Sequence, residues 1–190
     1  MKSQMRLLGV DDGPFHFGDQ TTIIVGTIMR ANGYLECVLK REIQVDGSDA
    51  TDNLIEMIIH THHRKQLQAV LLDGAAVGGF NIIDIGKIFQ ETKLPVLTIT
   101  RDAPNFKDIK KALQSHFSDW EIRYNLLKKG DLYPVDTKYN PIYLKCVGLG
   151  LEKAKEIITL STIQGVIPEP IRVAHLIASG ITSGESYGKA

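Results

Sequence analysis

The sequence of 190 residues has few of the features that mark secreted, membrane-embedded or metal-thiolate proteins. It contains two cysteines, Cys37 and Cys146, each inside an apolar, strand-like run. Two thiols so far apart make no disulfide framework and no zinc-binding motif, so we expect both to be reduced core residues. No apolar run reaches the roughly 18 residues that cross a bilayer, and no segment resembles a signal peptide. We therefore predict a cytoplasmic protein with no membrane partner.

An excess of charge of either sign is also absent. Lysine and arginine total 22, and aspartate and glutamate also total 22. A protein with this balance does not bind nucleic acid through its overall charge, so any such contact must be local. Hydrophobic residues make up 43% and charged residues 23% of the chain, as in ordinary globular proteins. The length suits one domain, and we predict a single domain over residues 1–190.

Residues 6–45 predict an antiparallel meander of three strands. A short apolar run over residues 6–10 stops at the turn-forming residues Asp11-Asp12-Gly13-Pro14. A β-branched run over residues 21–29 and an alternating run over residues 34–45 follow, joined by Asn32-Gly33. An Asn-Gly pair between two such runs is typical of a tight hairpin.

After this meander, helical and strand-like patterns alternate. Helical spacing after Asp49 or Asp52 predicts the first helix, and a short apolar run ending at Asp73 predicts the fourth strand. Residues 120–133 have no clear pattern, and residues 142–147 fit either a strand or an extended segment. The remaining elements are helices over residues 82–90, 105–117, 151–163 and 168–180, and a fifth strand over residues 95–99.

This order of elements predicts an α/β fold with a mixed five-stranded sheet of order 3-2-1-4-5, flanked by helices. A helix that returns the chain to a sheet usually places the next strand parallel to one already present. Strand 2 occupies one side of strand 1, so strand 4 takes the other side. Strands 1 and 4 both end in aspartate and lie ~4.8 Å apart. We therefore expect Asp11 and Asp73 to meet at the carboxyl edge of the sheet.

Two carboxylates at this spacing repel each other unless they are protonated or bridged by a cation. Carboxylate oxygens suit Mg²⁺ or Mn²⁺, which keep several waters and bind phosphate oxygens in the remaining positions. Such an ion activates water and neutralises the charge of a phosphodiester. We therefore predict that Asp11 and Asp73 bind Mg²⁺ or Mn²⁺. The alternative is a turn-forming role in the Asp-Gly pairs at 12–13 and 73–74.

Five segments, in the same order along the chain, resemble endonuclease V. They are LLGVD followed by Phe15, VLLDG over residues 70–74, PV at residues 95–96, NPIY over residues 140–143 and IPEPIRVAH over residues 167–175. The resemblance implies an RNase H-like sheet and Mg²⁺-dependent cleavage of nucleic acid, DNA or RNA, near deaminated bases. It also implies that Asp11 and Asp73 are the metal ligands.

The sequence departs from that family at several functional positions. The family's catalytic glutamate is missing, which leaves Asp49 or Asp52 as substitutes, with Asp12 as a further ligand. The loop after Asp73-Gly74 lacks the family's histidine and arginine, and Leu149 stands where a late histidine is expected. The chain is therefore more similar to an archaeal family of endonuclease V relatives. The candidate catalytic residues are Asp11, Asp73, Asp12 and Asp52.

Two functions remain open from the sequence. The first is a divalent-metal-dependent phosphodiesterase that acts on nucleic acid. The second is a non-catalytic module that keeps the fold and binds nucleic acid or a protein. A cluster of basic residues, Arg101, Lys107, Lys110 and Lys111, follows the fifth strand. These side chains either contact phosphates or form a solvated helix face.

Overall fold

The computed structural model describes residues 4–186, which form a mixed sheet with helices on both faces. The strands in this part of the chain are β1 (Arg6–Asp12), β2 (Thr21–Arg30), β3 (Leu35–Gln44), β4 (Leu67–Asp73), β5 (Ala76–Val77), β6 (Asn81–Ile82), β7 (Val96–Thr100), β8 (Tyr133–Val135) and β9 (Ile142–Val147). The helices are α1 (Ala50–His60), α2 (Ile85–Thr92), α3 (Phe106–His116), α4 (Trp120–Lys128), α5 (Leu151–Ser161) and α6 (Glu169–Ser183), with a 3₁₀ turn at Arg64–Gln66.

The main sheet has seven strands in the order β3-β2-β1-β4-β7-β9-β8. Strands β3, β2 and β1 are antiparallel neighbours, whereas β4 runs parallel to β1 and β7 runs parallel to β4. This confirms the predicted α/β class and the predicted order of the first five strands. Strands β9 and β8 extend the sheet beyond β7, each antiparallel to its neighbour. The prediction of five strands was therefore two strands short.

The alternation of side chains along β1 sets which residues face which helices. Leu8 packs with the core that α1 and α2 cover, whereas Leu7 packs with the core under α5 and α6. Because successive strand residues point to opposite faces, Asp11 shares the face of Leu7 and Asp12 shares the face of Leu8. On β4, Leu71 lies on the α5 and α6 side, so Asp73 does as well. Asp11 and Asp73 therefore project from the same face.

Helix α6 lies directly against β1 at Gly9. A Cβ atom at Gly9 would lie 2.2 Å from the carbonyl carbon of Pro170, so a side chain there has no space. The hydroxyl of Thr27 on β2 donates a hydrogen bond to the carbonyl of Pro170 over 2.6 Å. Ala174 and Ala178 continue the small, buried stripe of the helix. This close seating carries α6 across the end of β1 that bears Asp11.

Several predicted boundaries were wrong. The helix predicted over residues 82–90 starts later, at Ile85, because Asn81–Ile82 pairs with Ala76–Val77 in a small hairpin. The unassigned segment at residues 120–133 contains α4. Helix α6 continues through Gly180 and ends at Gly184, which has a positive φ of 79°.

Cys37 and Cys146 are free thiols. We predicted that both are buried in the core, but each is partly exposed. Cys37 lies on β3 at the edge of the sheet, and Cys146 lies on β9. Cys37 packs against the core under α1 and α2, and Cys146 packs against the core under α5 and α6.

Within residues 4–186, no helix has the length and apolar character required to cross a membrane.

Candidate active site

Asp11 and Asp73 end two neighbouring parallel strands at the carboxyl edge of the sheet. Val10 pairs with Leu72, one residue before each aspartate, so the two carboxyl groups leave the strands at the same level. Asp11 is buried, with 5% of its surface exposed, and Asp73 is half-buried. The structure therefore brings the two predicted residues together on one face.

The surroundings of Asp73 disfavour its charged form. Burial raises the pKa of Asp73 from 3.8 to about 6, and the negative charge of Asp11 adds to that rise. The positive charges of Arg101 and His175 act in the opposite direction without cancelling the rise. A carboxyl pair with an unneutralised negative charge is the electrostatic setting in which a bound cation is favoured.

His175 on α6 is the partner of Asp11. Its Nδ1 lies 2.8 Å from Oδ2 of Asp11, and the hydrogen bond raises the pKa of the imidazole. The charges of Asp11 and Asp73 raise this pKa further, while partial burial of the ring opposes the rise. The hydrogen bond to His175 therefore fixes the orientation of the Asp11 carboxylate, and this contact favours the positively charged form of the imidazole.

Asp12 faces the other side of the sheet and holds a glycine-rich loop. Its Oδ2 accepts a hydrogen bond from the backbone N–H of Gly78 over 2.8 Å. Gly78 has a positive φ of 51°, a conformation that glycine adopts without strain. Burial raises the pKa of Asp12 to about 7, with further contributions from the charges of Asp11 and Asp73. Asp12 therefore interacts electrostatically with Asp11 and Asp73, and these three residues are called the acidic cluster below. Asp12 also ties the loop to the end of β1.

The structure does not bring Asp52 to this cluster. Asp52 lies at the exposed start of α1, and its Oδ1 is 2.5 Å from Nζ of Lys87. Its charge is not among those that shift the pKa of Asp12 or Asp73. The other predicted substitute, Asp49, accepts a hydrogen bond from Nδ2 of Asn81 over 2.6 Å and from the backbone of the preceding strand. Asp49 therefore fastens α1 to the sheet.

A cavity of about 390 Å³ opens near the end of β7, and its lining residues include neither Asp11 nor Asp73. Arg101, whose charge acts on Asp73 and His175, is part of its wall. Asn140 and Tyr143 line the same cavity. Tyr143 pairs with Thr100 in the sheet, which places the cavity next to the end of β7. The charge of Arg101 therefore links this cavity electrostatically to Asp73.

The predicted lysines of α3 are exposed, but Lys110 already has aromatic partners. Its Nζ lies 5.5 Å from the ring centre of Trp120 and 5.7 Å from that of Tyr124. Such cation–π contacts join α3 to α4. A contact of Lys107 or Lys111 with phosphate stays a prediction.

The donor set suits a small, hard cation held by two carboxylates. Among residues 4–186, no three or more His, Cys, Asp or Glu side chains are arranged as a complete metal site. Mg²⁺ does not require such a cage, because it commonly takes one or two protein carboxylates and completes its shell with water and substrate oxygens. Asp11 and Asp73 meet that requirement.

His175 ends the segment IPEPIRVAH that resembles endonuclease V, but the sequence alone predicts no role for it. The signal that identifies it is the helical stripe of Pro170, Ile171, Ala174 and Ala178, all of which are buried. A histidine next to that stripe lies near the sheet, where a strand-end carboxylate is a natural partner. Nothing in the spacing indicated which carboxylate, because Asp11 is 164 residues away.

Comparison with known proteins identifies close relatives in archaea. The family described as endonuclease dU matches residues 3–182. A UPF0215 protein of Methanosarcina mazei is 45% identical over 193 residues, covering 100% of this chain and 97% of the relative. A UPF0215 protein of Methanothermobacter thermautotrophicus is 41% identical over 192 residues, covering 100% of this chain and 94% of the relative.

Solved structures share the fold. The crystal structure of a protein of unknown function from Archaeoglobus fulgidus has a TM-score of 0.83 at 35% identity, covering 93% of this chain and 98% of that chain. Endonuclease V of Ciona intestinalis, in complex with a DNA containing inosine, has a TM-score of 0.58 at 12% identity and covers 90% of this chain and 82% of its own. The catalytic domain of human endonuclease V has a TM-score of 0.58 at 15% identity, with 92% and 81% covered. The endonuclease V-like fold predicted from the sequence is confirmed.

Proposed function

The chain belongs to the endonuclease dU family, and we propose that it is a divalent-metal-dependent endonuclease that hydrolyses a phosphodiester bond of nucleic acid. The observation that carries the proposal is the placement of Asp11 and Asp73 on one face at the ends of parallel strands, with His175 bound to Asp11. The family description points to DNA containing deoxyuridine as the first substrate to test.

Asp11 and Asp73 would hold Mg²⁺ or Mn²⁺ through their carboxylate oxygens. When bound, such an ion supplies a Lewis acid that neutralises phosphodiester charge and lowers the pKa of a water molecule. The raised pKa of Asp73, caused first by burial and then by the charge of Asp11, is consistent with this assignment, because a bound cation would favour the ionised carboxylate.

The other groups position the site. His175 holds Oδ2 of Asp11 and the backbone N–H of Asp12 donates to Oδ1, so both oxygens of that carboxylate keep a fixed direction. Asp12 anchors the loop after β4 by accepting the hydrogen bond from the N–H of Gly78. Arg101 provides positive charge on the β7 side, where a substrate phosphate is attracted.

Cleavage of defined oligonucleotides tests the proposal. The wild-type chain is incubated with single- and double-stranded DNA and RNA carrying uracil, inosine or only ordinary bases, with Mg²⁺, with Mn²⁺, or with EDTA. We expect metal-dependent cleavage, and we expect Asp73→Asn to reduce it by at least about 100-fold, because loss of even an indirect metal contact costs 10–100-fold.

Asp52→Asn is the matched control for Asp73→Asn. It neutralises an exposed aspartate that pairs with Lys87 outside the acidic cluster, so we expect it to retain cleavage. Cleavage that survives Asp73→Asn, or that is lost equally in Asp52→Asn, would rule out the assigned site.

One observation favours a second function, a module that binds nucleic acid without cleaving it. Within residues 4–186 the acidic cluster has no third carboxylate in a metal-binding arrangement. A binding module predicts salt-sensitive association with nucleic acid and no turnover with any metal. The cleavage assay separates the two functions directly.

A further inference from the structure

Phe17 is a large apolar side chain that the fold leaves entirely in solvent. Its relative exposure is 109%, compared with 71% for Ile122 and 70% for Tyr139, the next most exposed large apolar residues of the described chain. A single exposed apolar residue is common on protein surfaces and by itself indicates nothing. The position of Phe17 is what gives the exposure a meaning.

Phe17 lies in the loop that follows Asp11 and Asp12 directly. This loop, residues 13–20, joins β1 to β2. The ring of Phe15, in the same loop, lies beside the glycine-rich segment, since a Cβ atom added to Gly79 would be 3.5 Å from its Cζ atom. The loop therefore borders the acidic cluster on the side of the segment that Asp12 anchors.

Hydrogen bonds at the base of the loop and across its tip fix its shape. Gly13 donates to the carbonyl of Ile23 over 2.8 Å, and the hydroxyl of Thr22 donates to the carbonyl of Gly13 over 2.9 Å. At the tip, the N–H of His16 donates to Oδ2 of Asp19 over 2.7 Å, and the N–H of Asp19 donates back to the carbonyl of His16 over 3.1 Å. Phe17 occupies the turn that these two bonds close.

The reach of the loop places Phe17 within a few nucleotides of the carboxylates. Phe17 lies five positions after Asp12, and an extended chain over five residue steps spans at most about 18 Å. The turn at His16 and Asp19 shortens that span. Because successive nucleotides in one strand of a duplex rise by about 3.4 Å, a strand with its phosphate at the acidic cluster passes Phe17 within about five nucleotides.

We propose that Phe17 stacks on a nucleobase of the strand that is cleaved at the acidic cluster, a few nucleotides from the scissile phosphate. The inference rests on the proposed function and assigns part of the binding energy to a residue outside the carboxylate site. A base is the partner that fits, because the surrounding edge carries negative charge at Asp11, Asp12 and Asp73. An uncharged ring binds a base without depending on that charge.

Stacking of this kind tolerates any sequence, since every base has a π-face. Replacing a stacked aromatic residue with alanine weakens binding by about 5- to 140-fold per base. The hydrogen-bonded loop favours such a contact, because its backbone loses little conformational freedom on binding.

Fluorescence of 2-aminopurine tests the inference. Short single-stranded DNA with one deoxyuridine carries 2-aminopurine at one position at a time, and binding is measured in the Asp73→Asn background, which prevents cleavage and lowers the negative charge. We compare Phe17→Ala and Phe17→Trp. The control is Tyr34→Ala, which removes a ring that is 61% exposed at the opposite edge of the sheet.

We expect quenching of 2-aminopurine at one or two positions near the deoxyuridine. Phe17→Ala should abolish the quenching and weaken binding by about 5- to 140-fold, Phe17→Trp should restore both, and Tyr34→Ala should change neither. Unchanged binding and quenching in Phe17→Ala would overturn the inference, as would failure of the parent protein to bind any of the oligonucleotides.

The cleavage assay keeps the two proposals separate. Asp73-dependent cleavage without any effect of Phe17 would defeat the stacking contact and leave the endonuclease standing. Quenching that depends on Phe17, combined with no cleavage by the wild-type chain under any metal condition, would defeat the endonuclease and leave the stacking contact standing.

Discussion

Replacing Asp73 with asparagine should stabilise the metal-free protein at neutral pH. Burial and the charge of Asp11 raise the pKa of Asp73 from 3.8 to about 6, so the fold works against the ionised carboxylate. The folded protein therefore binds more protons than the unfolded chain between about pH 4 and pH 6, and its stability falls as the pH rises through that window. The loss is complete at about pH 7 and above.

The size of the effect follows from the two pKa values. A displacement from 3.8 to about 6 corresponds to at most about 3 kcal/mol of lost stability at pH 7 and above. An asparagine carries no charge, so Asp73→Asn should recover up to about 3 kcal/mol of the free energy of unfolding at pH 8. At pH 4 the wild-type carboxyl group is already protonated in the fold, and the two proteins should differ little.

Urea denaturation in EDTA-containing buffer at pH 4, 6 and 8 measures this difference, with Asp52→Asn as the control. Asp52 is exposed and paired with Lys87, so its replacement should give no gain at any pH. An Asp73→Asn protein that is equally stable or less stable than wild type at pH 8 would refute the account of the carboxyl pair. So would a gain that is as large at pH 4 as at pH 8.

Two further predictions concern α6. Gly9→Ala places a methyl group 2.2 Å from the carbonyl carbon of Pro170 and should destabilise the protein by about 1–3 kcal/mol or more. Thermal or urea unfolding measures this loss. A variant as stable as wild type would show that α6 moves away from β1 without cost. His175→Ala removes the partner of Asp11 and should lower cleavage by about 10- to 100-fold in a single-turnover assay. Because the pKa of His175 is raised in the fold, the stabilisation by its contact with Asp11 is fully present below pH 6.5 and is lost as the pH rises through the folded pKa. His175→Ala should therefore lower the free energy of unfolding by about 1 kcal/mol at pH 6 and by less at pH 9. A stability loss that grows with pH would contradict the ion pair.

The electrostatics of the site fit a trade-off between stability and function. The fold holds two half-buried carboxyl groups, Asp12 and Asp73, whose pKa values are raised to about 7 and about 6. Such groups destabilise the metal-free chain at neutral pH, and residues of this kind cluster at functional sites. A cation bound at Asp11 and Asp73 would relieve the repulsion.

The periodicity of the sequence determined the central part of the fold. Alternating and continuous apolar runs mark β1 to β4 and β7, and short turns or single helices connect them, so few sheet orders are available. The placement of Asp11 beside Asp73 follows from that order, because both residues end parallel neighbours. The order of the central strands and the placement of Asp11 beside Asp73 depend on local patterns and general rules of chain topology, and a single sequence contains both kinds of information.

Tertiary packing decided the rest. Strands β8 and β9 are short and lie on the far side of β7, where pairing with an existing edge outweighs weak local preference. The contact of His175 with Asp11 exists because α6 packs on Gly9, and a contact across 164 residues leaves no periodic signal in the chain. The sequence predicted Asp52 as a catalytic residue, but in the structure its carboxylate pairs with Lys87. Spacing along the chain fixes which face a residue occupies, whereas its partner depends on how whole elements pack against one another.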